Sequence, residues 1–562
     1  MSSTSRRSTP SAAGAEAVLI WVAVSIAFLA LGTTWSATHV AAKIDGAPAP
    51  PANPFTLFFG LFGGDVSWTS TATVIAAVTA VLLILLVGVV AGLAVRLMRR
   101  TTSVDKADRH MARGRQVGLL SKSNAENVAQ RLGGRHGPGV PIAATIAGKT
   151  LYRTWEDVVI VLAGPRVGKT TSFVIPEILG APGAVLTTSN KGDVVRTTRA
   201  FRAAIGHTWV FDPQGLVSEP MTWWWNPLSY VTNEVKARQL ADMFEAASHD
   251  PDARVDGYFG PKGRDLLANL LLAAAVSGKP LTQVYLWLTD PTDETPAVIL
   301  QDDGYELISA AVRSAMSAAP EERSGIFGSA EQMASFMLNR EATRWVTPPT
   351  KTGLHEFDPH AFVRSTDTLY SLSKEGQGSA GGLVAALAAA VCEAAEDLAN
   401  TEPNGRLSTP LLVALDEAAN VCRWSELPNL YSHYGSRGIL ISTYLQSPAQ
   451  GRAVWGNDGY EKLYSAANIK VYAGGVDDIR YLTDLSKAIG NYTHNRPSVN
   501  SSRNGRSVSR QEQSDLILDV ADLRALPRGR AVLLASGTRA VLGRTLPWMD
   551  GPHAKAVNGS QS

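Results

Sequence analysis

The sequence predicts an α/β protein with a parallel sheet, an inserted all-α domain and two transmembrane helices ahead of both. From residue 158 onward, short apolar segments alternate with helical stretches, which is the pattern of a parallel sheet. Between residues 231 and 344 the pattern is helical throughout, which indicates an inserted helical domain. Near the N-terminus, two long segments carry no charged residue.

The composition narrows the class of protein. Charged residues make up 18% of the 562 residues, below the roughly 25% of an ordinary soluble domain. The net charge of +2 shows no global basic excess, so a nucleic-acid interface would have to be local. The two cysteines, Cys392 and Cys422, exclude a disulfide framework and a cysteine-based zinc module.

The two uncharged segments, residues 17–35 and 71–95, reach the length that spans a bilayer. Arg6 and Arg7 precede the first, and a basic stretch beginning at Arg96 follows the second. The positive-inside rule therefore predicts a multi-pass protein of the cell membrane with both termini cytoplasmic. A cleaved signal peptide is the alternative, although the apolar run is long for one.

The polarity and periodicity of the sequence divide the chain into domains. Residues 1–100 are expected to form the membrane anchor, 101–150 a polar cytoplasmic stem, 231–344 the all-α domain and 551–562 a tail. The α/β domain then comprises residues 151–230 and 345–550. Within it, strands are predicted at residues 158–163, 183–188, 208–212, 368–372, 411–415, 438–443 and 469–473. Residues 491–515 are polar and contain four arginines, which predicts a mobile loop.

A phosphate-binding loop follows the first strand of this domain. The segment fits the pattern [AG]-x-x-x-x-G-K-[ST] between a strand and a helix. Gly168 lets backbone N–H groups turn toward a β-phosphate, Lys169 reaches the β- and γ-oxygens, and the Thr170 hydroxyl is a ligand for Mg²⁺. The predicted nucleotide-binding residues are Ala163, Gly164, Pro165, Arg166, Val167, Gly168, Lys169, Thr170 and Thr171.

A second element of a nucleotide hydrolase follows the strand predicted at residues 411–415. This strand ends in Asp416 and Glu417. Asp416 is predicted to hold Mg²⁺, and Glu417 to act as the general base on the attacking water. Together with the loop, the two carboxylates predict hydrolysis of ATP with Mg²⁺ as cofactor, with Lys169 and Glu417 as catalytic residues.

Two further catalytic residues are predicted beside the strand at residues 438–443. Gln446 follows the strand, at the position of a γ-phosphate sensor. Arg437 precedes it and could reach the nucleotide of a neighbouring subunit as an arginine finger. A solvated arginine is the alternative for Arg437, since most exposed arginines contribute little.

In this order, the motifs resemble those of the TraG/TraD-type coupling proteins of conjugative type IV secretion systems. Residues 189–193 are similar to the family's PKG segment, with Asn190 in place of its usual proline, and residues 225–228 to its NPL signature. Residues 415–418 and 445–447 match the acidic and glutamine motifs. The resemblance implies a RecA-like motor that carries an all-α domain and assembles as a ring of six subunits.

The resemblance also implies the function and the partners. The chain is expected to be a membrane-anchored ATPase that couples DNA–protein substrates to a type IV secretion channel and drives conjugative DNA transfer. The implied partners are single-stranded DNA with relaxase and relaxosome proteins, channel proteins, the membrane and further copies in a homo-hexamer. An FtsK-like DNA pump and a nucleotide-binding scaffold without hydrolysis are the alternatives. DNA as cargo depends on the resemblance, because no binding patch is evident in the sequence.

Overall fold

The computed structural model describes residues 12–98, 103–248, 257–349, 353–376, 380–502 and 505–561. The chain forms two compact units, Met1–Thr102 and Ser103–Ser562. The described residues of the first unit form the helices α1 (Ala12–Asp45), α2 (Pro54–Gly63) and α3 (Ser70–Met98). The Thr71 hydroxyl donates a 2.7 Å hydrogen bond to Asp45, which joins the start of α3 to the end of α1.

The prediction of two transmembrane helices is wrong. A crossing requires an apolar helix that spans about 30 Å of hydrocarbon. Among the described residues, no helix is both long enough and apolar enough to meet that requirement. The predicted spans at residues 17–35 and 71–95 are therefore corrected, and so is the predicted location as a multi-pass protein of the cell membrane with both termini cytoplasmic.

The second unit holds the strands and the remaining helices. Its strands are β1 (Val140–Thr145), β2 (Thr150–Arg153), β3 (Val159–Leu162), β4 (Val185–Ser189), β5 (Thr208–Phe211), β6 (Trp223–Trp224), β7 (His355–Glu356), β8 (Thr368–Leu372), β9 (Leu411–Leu415), β10 (Ile439–Leu445), β11 (Ile469–Tyr472), β12 (Asn491–Ser502), β13 (Gly505–Leu516), β14 (Arg530–Ala535) and β15 (Val541–Arg544). Its helices are α4 (Lys122–Arg131), α5 (Ile175–Leu179), α6 (Asp193–Ala203), α7 (Glu234–Ser248), α8 (Phe259–Val276), α9 (Thr282–Thr289), α10 (Thr295–Asp302), α11 (Glu306–Met316), α12 (Pro320–Ala334), α13 (Arg340–Thr343), α14 (Pro359–Phe362), α15 (Gly381–Thr401), α16 (Ala418–Val421), α17 (Leu427–Arg437), α18 (Pro448–Ala466), α19 (Ile479–Ile489), α20 (Val520–Arg524) and α21 (Ala554–Gln561).

The main sheet has the strand order β2-β1-β15-β14-β11-β3-β10-β9-β4-β8-β5. The part from β11 to β5 is parallel throughout, and it consists of the seven strands predicted from sequence. The other four strands extend it by antiparallel pairing. The α/β prediction is therefore confirmed. Strand β1, which lies within the predicted stem (residues 101–150), also belongs to this sheet, and the bounds of the stem stay a prediction.

Burial of both faces of the sheet explains why the sequences of the parallel strands are continuously apolar. Every residue of β3 and of β9 is buried, as expected when helices cover both faces of a parallel sheet. Neighbouring residues of β3 point to opposite faces. Ile160 and Leu162 belong to one apolar core, and Val159 and Val161 belong to the other.

Helices α7 to α13 occupy the stretch predicted to be all-α, and the described part of this stretch contains no strand. Helices α8 and α12 approach closely at Gly263, where an added Cβ would lie 2.6 Å from the Cβ of Ser329. The bounds of the α/β domain, residues 151–230 and 345–550, and of the all-α domain, residues 231–344, stay predictions.

The segment predicted as a mobile loop is a β-hairpin in the structure. Strands β12 and β13 pair antiparallel from Asn491 opposite Leu516 to Ser502 opposite Gly505. Backbone pairing needs no apolar alternation, so the polar sequence gave no strand signal. The side chains of Arg496, Arg503, Arg506 and Arg510 lie outside the described residues.

Candidate nucleotide-binding site

The predicted phosphate-binding loop lies at the carboxyl edge of the parallel sheet, where β3 ends. Two backbone hydrogen bonds fix its start, from Ala163 N to the Leu445 carbonyl at 3.0 Å and from Gly164 N to the Gly474 carbonyl at 2.9 Å. Further along, Gly168 has a φ of +93°, a conformation that glycine adopts without strain. After Lys169 the chain passes through a π-type turn, Thr170–Val174, into α5, and such turns are frequent at functional sites.

Gly164 is required by close backbone packing rather than by an unusual φ. A Cβ added at Gly164 would lie 1.9 Å from the carbonyl oxygen of Gly475, in the turn that follows β11. Gly475 itself has a φ of +75°. The loop therefore packs directly on this second turn. The sequence gives no sign of this contact, because some 310 residues separate the two segments.

Lys169 is buried between the two predicted acidic residues. Its side chain is 8% exposed, and its Nζ lies 2.9 Å from Asp416 Oδ1 and 2.5 Å from Glu417 Oε1. Burial alone would lower the pKa of Lys169, but the two carboxylates outweigh it and raise the pKa above its ordinary value. The ammonium is therefore charged at every pH at which the protein would work.

Asp416 lies between the loop and β4. The Thr170 hydroxyl donates to Asp416 Oδ2 at 3.2 Å, and the Thr188 hydroxyl of β4 donates to the Asp416 carbonyl at 2.9 Å. Burial raises the pKa of the Asp416 carboxyl, with Lys169 acting against it and Glu417 adding to it. Asp416 and Thr170 together present only oxygen atoms, the ligands that Mg²⁺ prefers.

Glu417 occupies a strained position at the start of α16. Its φ of +54° and ψ of +41° lie in the left-handed region, which is uncommon for residues other than glycine and often marks functional sites. One carboxylate oxygen contacts Lys169, and the other accepts a 2.9 Å hydrogen bond from Gln446 Nε2. The structure thus brings together Lys169, Thr170, Asp416, Glu417 and Gln446.

Arg437, the remaining predicted catalytic residue, does not join this cluster. It ends α17 at the amino edge of the sheet, and the whole of β10 separates it from Gln446. Seven strand residues span about 23 Å. The guanidinium donates to the Gly405 carbonyl at 2.9 Å and contacts His433 at 3.3 Å.

Three residues that the sequence did not assign to the site extend it from Glu417 toward the surface. Asn420 Nδ2 lies 3.4 Å from Glu417 Oε2 and donates to Glu375 Oε1 at 2.9 Å. Asn190 Nδ2 donates to the same oxygen of Glu375. The one available signal was the asparagine at position 190, which departs from the PKG pattern. Glu375 carried no signal, since only the fold brings it near β9.

A buried ion pair fixes the helix that follows the loop. Glu177 of α5 accepts a 2.7 Å hydrogen bond from Ser442, and it also contacts Arg153 and Tyr444. Arg153 in turn donates to Ser442 at 2.6 Å. This network joins α5, β2 and β10. It thereby fixes the helix after the loop relative to β10, the strand that Gln446 follows.

The comparisons with known proteins bear on the fold and on one segment of the chain. A family model described as the TraM recognition site of TraD and TraG matches residues 410–528, a segment that contains Asp416, Glu417 and Gln446. No curated protein matches the chain. The bacterial conjugative coupling protein TrwBdeltaN70, in its unbound monoclinic form, is 17% identical with a TM-score of 0.53, covering 76% of this chain and 92% of that one.

Two nucleotide complexes of the plasmid coupling protein TrwB match as well. The complex with ADP and Mg²⁺ is 16% identical with a TM-score of 0.53. The complex with the non-hydrolysable GTP analogue GDPNP is 17% identical with a TM-score of 0.52. Each match covers 76% of this chain and 92% of the TrwB chain. The resemblance to the TraG/TraD-type coupling proteins is thereby confirmed, for the fold and for residues 410–528.

Proposed function

We propose that this protein is an ATPase that couples DNA–protein substrates to a type IV secretion channel and drives conjugative DNA transfer. The observation that carries the proposal is the convergence of Lys169, Asp416 and Glu417 at one edge of the sheet. Lys169 precedes Asp416 by 247 positions and Glu417 by 248, and the three residues are groups that phosphoryl transfer needs. The likeness to TrwB, which has been solved with ADP and Mg²⁺, supports ATP and Mg²⁺ as the cofactors.

The site has the groups to hold these cofactors. The loop from Ala163 to Thr171 would bind the phosphates, and Thr170 with Asp416 would hold the metal. When bound, Mg²⁺ neutralises charge on the β- and γ-oxygens. Lys169, now held by two carboxylates, has the reach and the charge to contact phosphate oxygens. Glu417 would accept the proton of the attacking water, and the Gln446 amide, which donates a hydrogen bond to Glu417, would orient its carboxylate.

The assembly and the partners are part of the same proposal. We infer a hexameric ring in which Arg437, which lies far from the nucleotide site of its own chain, acts on the nucleotide of a neighbour. Residues 410–528 would carry a partner-recognition surface, as the description of the matching family model suggests. Single-stranded DNA with a relaxase, and channel proteins, are the partners expected for a coupling ATPase.

A mating assay with matched variants tests the function. We expect Glu417→Gln to abolish plasmid transfer and ATP hydrolysis, and Glu461→Gln, an exposed glutamate on α18, to leave both unchanged. Transfer that survives in the Glu417→Gln strain while hydrolysis is lost would favour a nucleotide-binding scaffold. DNA-stimulated hydrolysis with unchanged transfer after deletion of the gene would favour an FtsK-like pump and overturn the conjugative role.

A further inference from the structure

A second cavity, of about 660 Å³, lies apart from the nucleotide site. Helices α7, α15 and α17 contribute to its wall, together with the turn Pro227–Tyr230 and residues 356–360. Its lining contains one lysine, Lys236, against six carboxylates, which are Glu356, Asp358, Glu393, Glu396, Asp397 and Glu426. The cavity is therefore strongly acidic in a protein whose net charge is only +2.

The cavity already holds one cation of its own. The Lys236 ammonium contacts Glu393 and lies 5.2 Å from the centre of the Tyr230 ring. An aromatic face and a carboxylate are the two groups that bind ammonium and guanidinium ions. Other carboxylates are left over, since the side chains of Glu356 and Asp397 form no hydrogen bond or ion pair within the described part of the chain. The lining can therefore accept further cations.

Tyr434 gives a second and independent sign of a ligand. Its side chain is fully buried and lines the cavity, yet its hydroxyl has no hydrogen-bond partner among the described residues. Burial raises the pKa of this hydroxyl, and Glu393, Glu396 and Tyr230 of the same lining raise it further. Buried polar groups in native proteins are normally paired. A ligand N–H would supply the missing partner.

The arrangement favours an extended organic cation over a metal ion. No group of three or more His, Cys, Asp or Glu side chains among the described residues could hold a metal. The carboxylates are instead distributed around a cavity that also contains Phe357 and Leu430. Lysine and arginine side chains combine an aliphatic stem with a charged end, and they suit a lining that is both apolar and acidic.

We propose that this cavity binds arginine or lysine side chains from a basic segment of a protein partner. Part of the lining, namely Glu426, Leu430 and Tyr434, belongs to residues 410–528. The inference therefore rests on the proposed function, and it names the chemistry by which that segment would recognise a partner. The cavity shares no lining residue with the phosphate-binding loop. Binding of the basic segment is therefore separable from hydrolysis.

The test uses the full chain and a fluorescein-labelled peptide of alternating arginine and glycine, with fluorescence anisotropy at about 150 mM salt. The double variant Glu356→Gln/Asp397→Asn removes two carboxylates that hold nothing else in place. Asp302→Asn/Asp303→Asn, exposed at the end of α10, makes the same change of charge elsewhere. We expect the first to raise the Kd at least about tenfold and the second by less than about twofold.

Tyr434→Phe removes only the hydroxyl and is expected to raise the Kd about threefold or more, since it deletes one hydrogen bond. Equal weakening by both double variants would overturn the inference, because it would indicate general electrostatics. Tighter binding of spermidine than of the peptide would overturn the assignment to a protein segment. Loss of hydrolysis with the peptide site intact would refute the proposed function alone, and absence of peptide binding with normal hydrolysis would refute the cavity alone.

Discussion

Replacement of Lys169 by methionine is expected to destabilise the protein in a way that depends on pH. Lys169 and its two carboxylate partners are each at most 8% exposed. Loss of one partner from a buried ion pair leaves an uncompensated charge and costs about 3–5 kcal/mol. The loss should therefore be far larger than for a surface lysine, where about 0.5 kcal/mol is the usual limit.

The pH dependence follows from the carboxyl groups. Burial already raises the pKa of Asp416 above 3.8 in the wild type, and loss of the ammonium must raise it further. A proton taken up by the folded state alone makes the protein more stable as the pH falls. Protonation of one such carboxyl costs about 4 kcal/mol at pH 7 and about 1.5 kcal/mol at pH 5, at 1.36 kcal/mol per unit. These values set an upper bound on the destabilisation at each pH.

Urea unfolding followed by tryptophan fluorescence at pH 5, 6, 7 and 8 measures the effect. We expect the difference in unfolding free energy between wild type and Lys169→Met to be about 3–4 kcal/mol at pH 7 and to fall below about 2 kcal/mol at pH 5. Lys149→Met, at an exposed lysine in the turn between β1 and β2, is the control. A difference that does not change with pH, or that equals the control, would refute the interpretation of Lys169 as the counterion of a buried acidic pair.

Two further predictions concern the geometry of the same site. Gln446→Ala removes the amide that lies 2.9 Å from Glu417, and we expect the kcat for ATP hydrolysis to fall about 10- to 100-fold with little change in KM; an unchanged kcat would exclude an orienting role. Gly164→Ala places a Cβ 1.9 Å from the Gly475 carbonyl oxygen and should abolish binding of a fluorescent ATP analogue. Gly118→Ala, which has open space around its Cα, should bind normally, and equal binding by both variants would contradict the close packing of the loop.

The sequence predicts the parallel sheet well because burial dictates its composition. Both faces of a strand such as β9 are covered, so every position of the strand is expected to be apolar. A continuous run of apolar residues can be recognised in the sequence without knowledge of the fold. Asp416 and Gln446 lie at the same edge of the sheet, because they follow adjacent parallel strands. The clustering of the site residues is a consequence of strand order.

Features that depend on long-range contact could not be predicted in the same way. Strand β1 is short and contains Pro141, and it is stabilised by β15, about 400 positions away. The contact between Gly164 and Gly475, and the link from Glu375 to Asn420, likewise join distant segments. The left-handed backbone of Glu417 has no sequence signal either, because glutamate gives no local preference for it.

A double-mutant cycle tests the central claim most directly, namely that Lys169 and Glu417 act on one triphosphate. The measurement is kcat/KM for ATP hydrolysis by wild type, Lys169→Ala, Glu417→Gln and the double variant. Residues that act as a unit give strongly non-additive losses, so we expect the double variant to be no more than about tenfold worse than the worse single variant. Losses that multiply in full would show two independent contributions and would contradict the account.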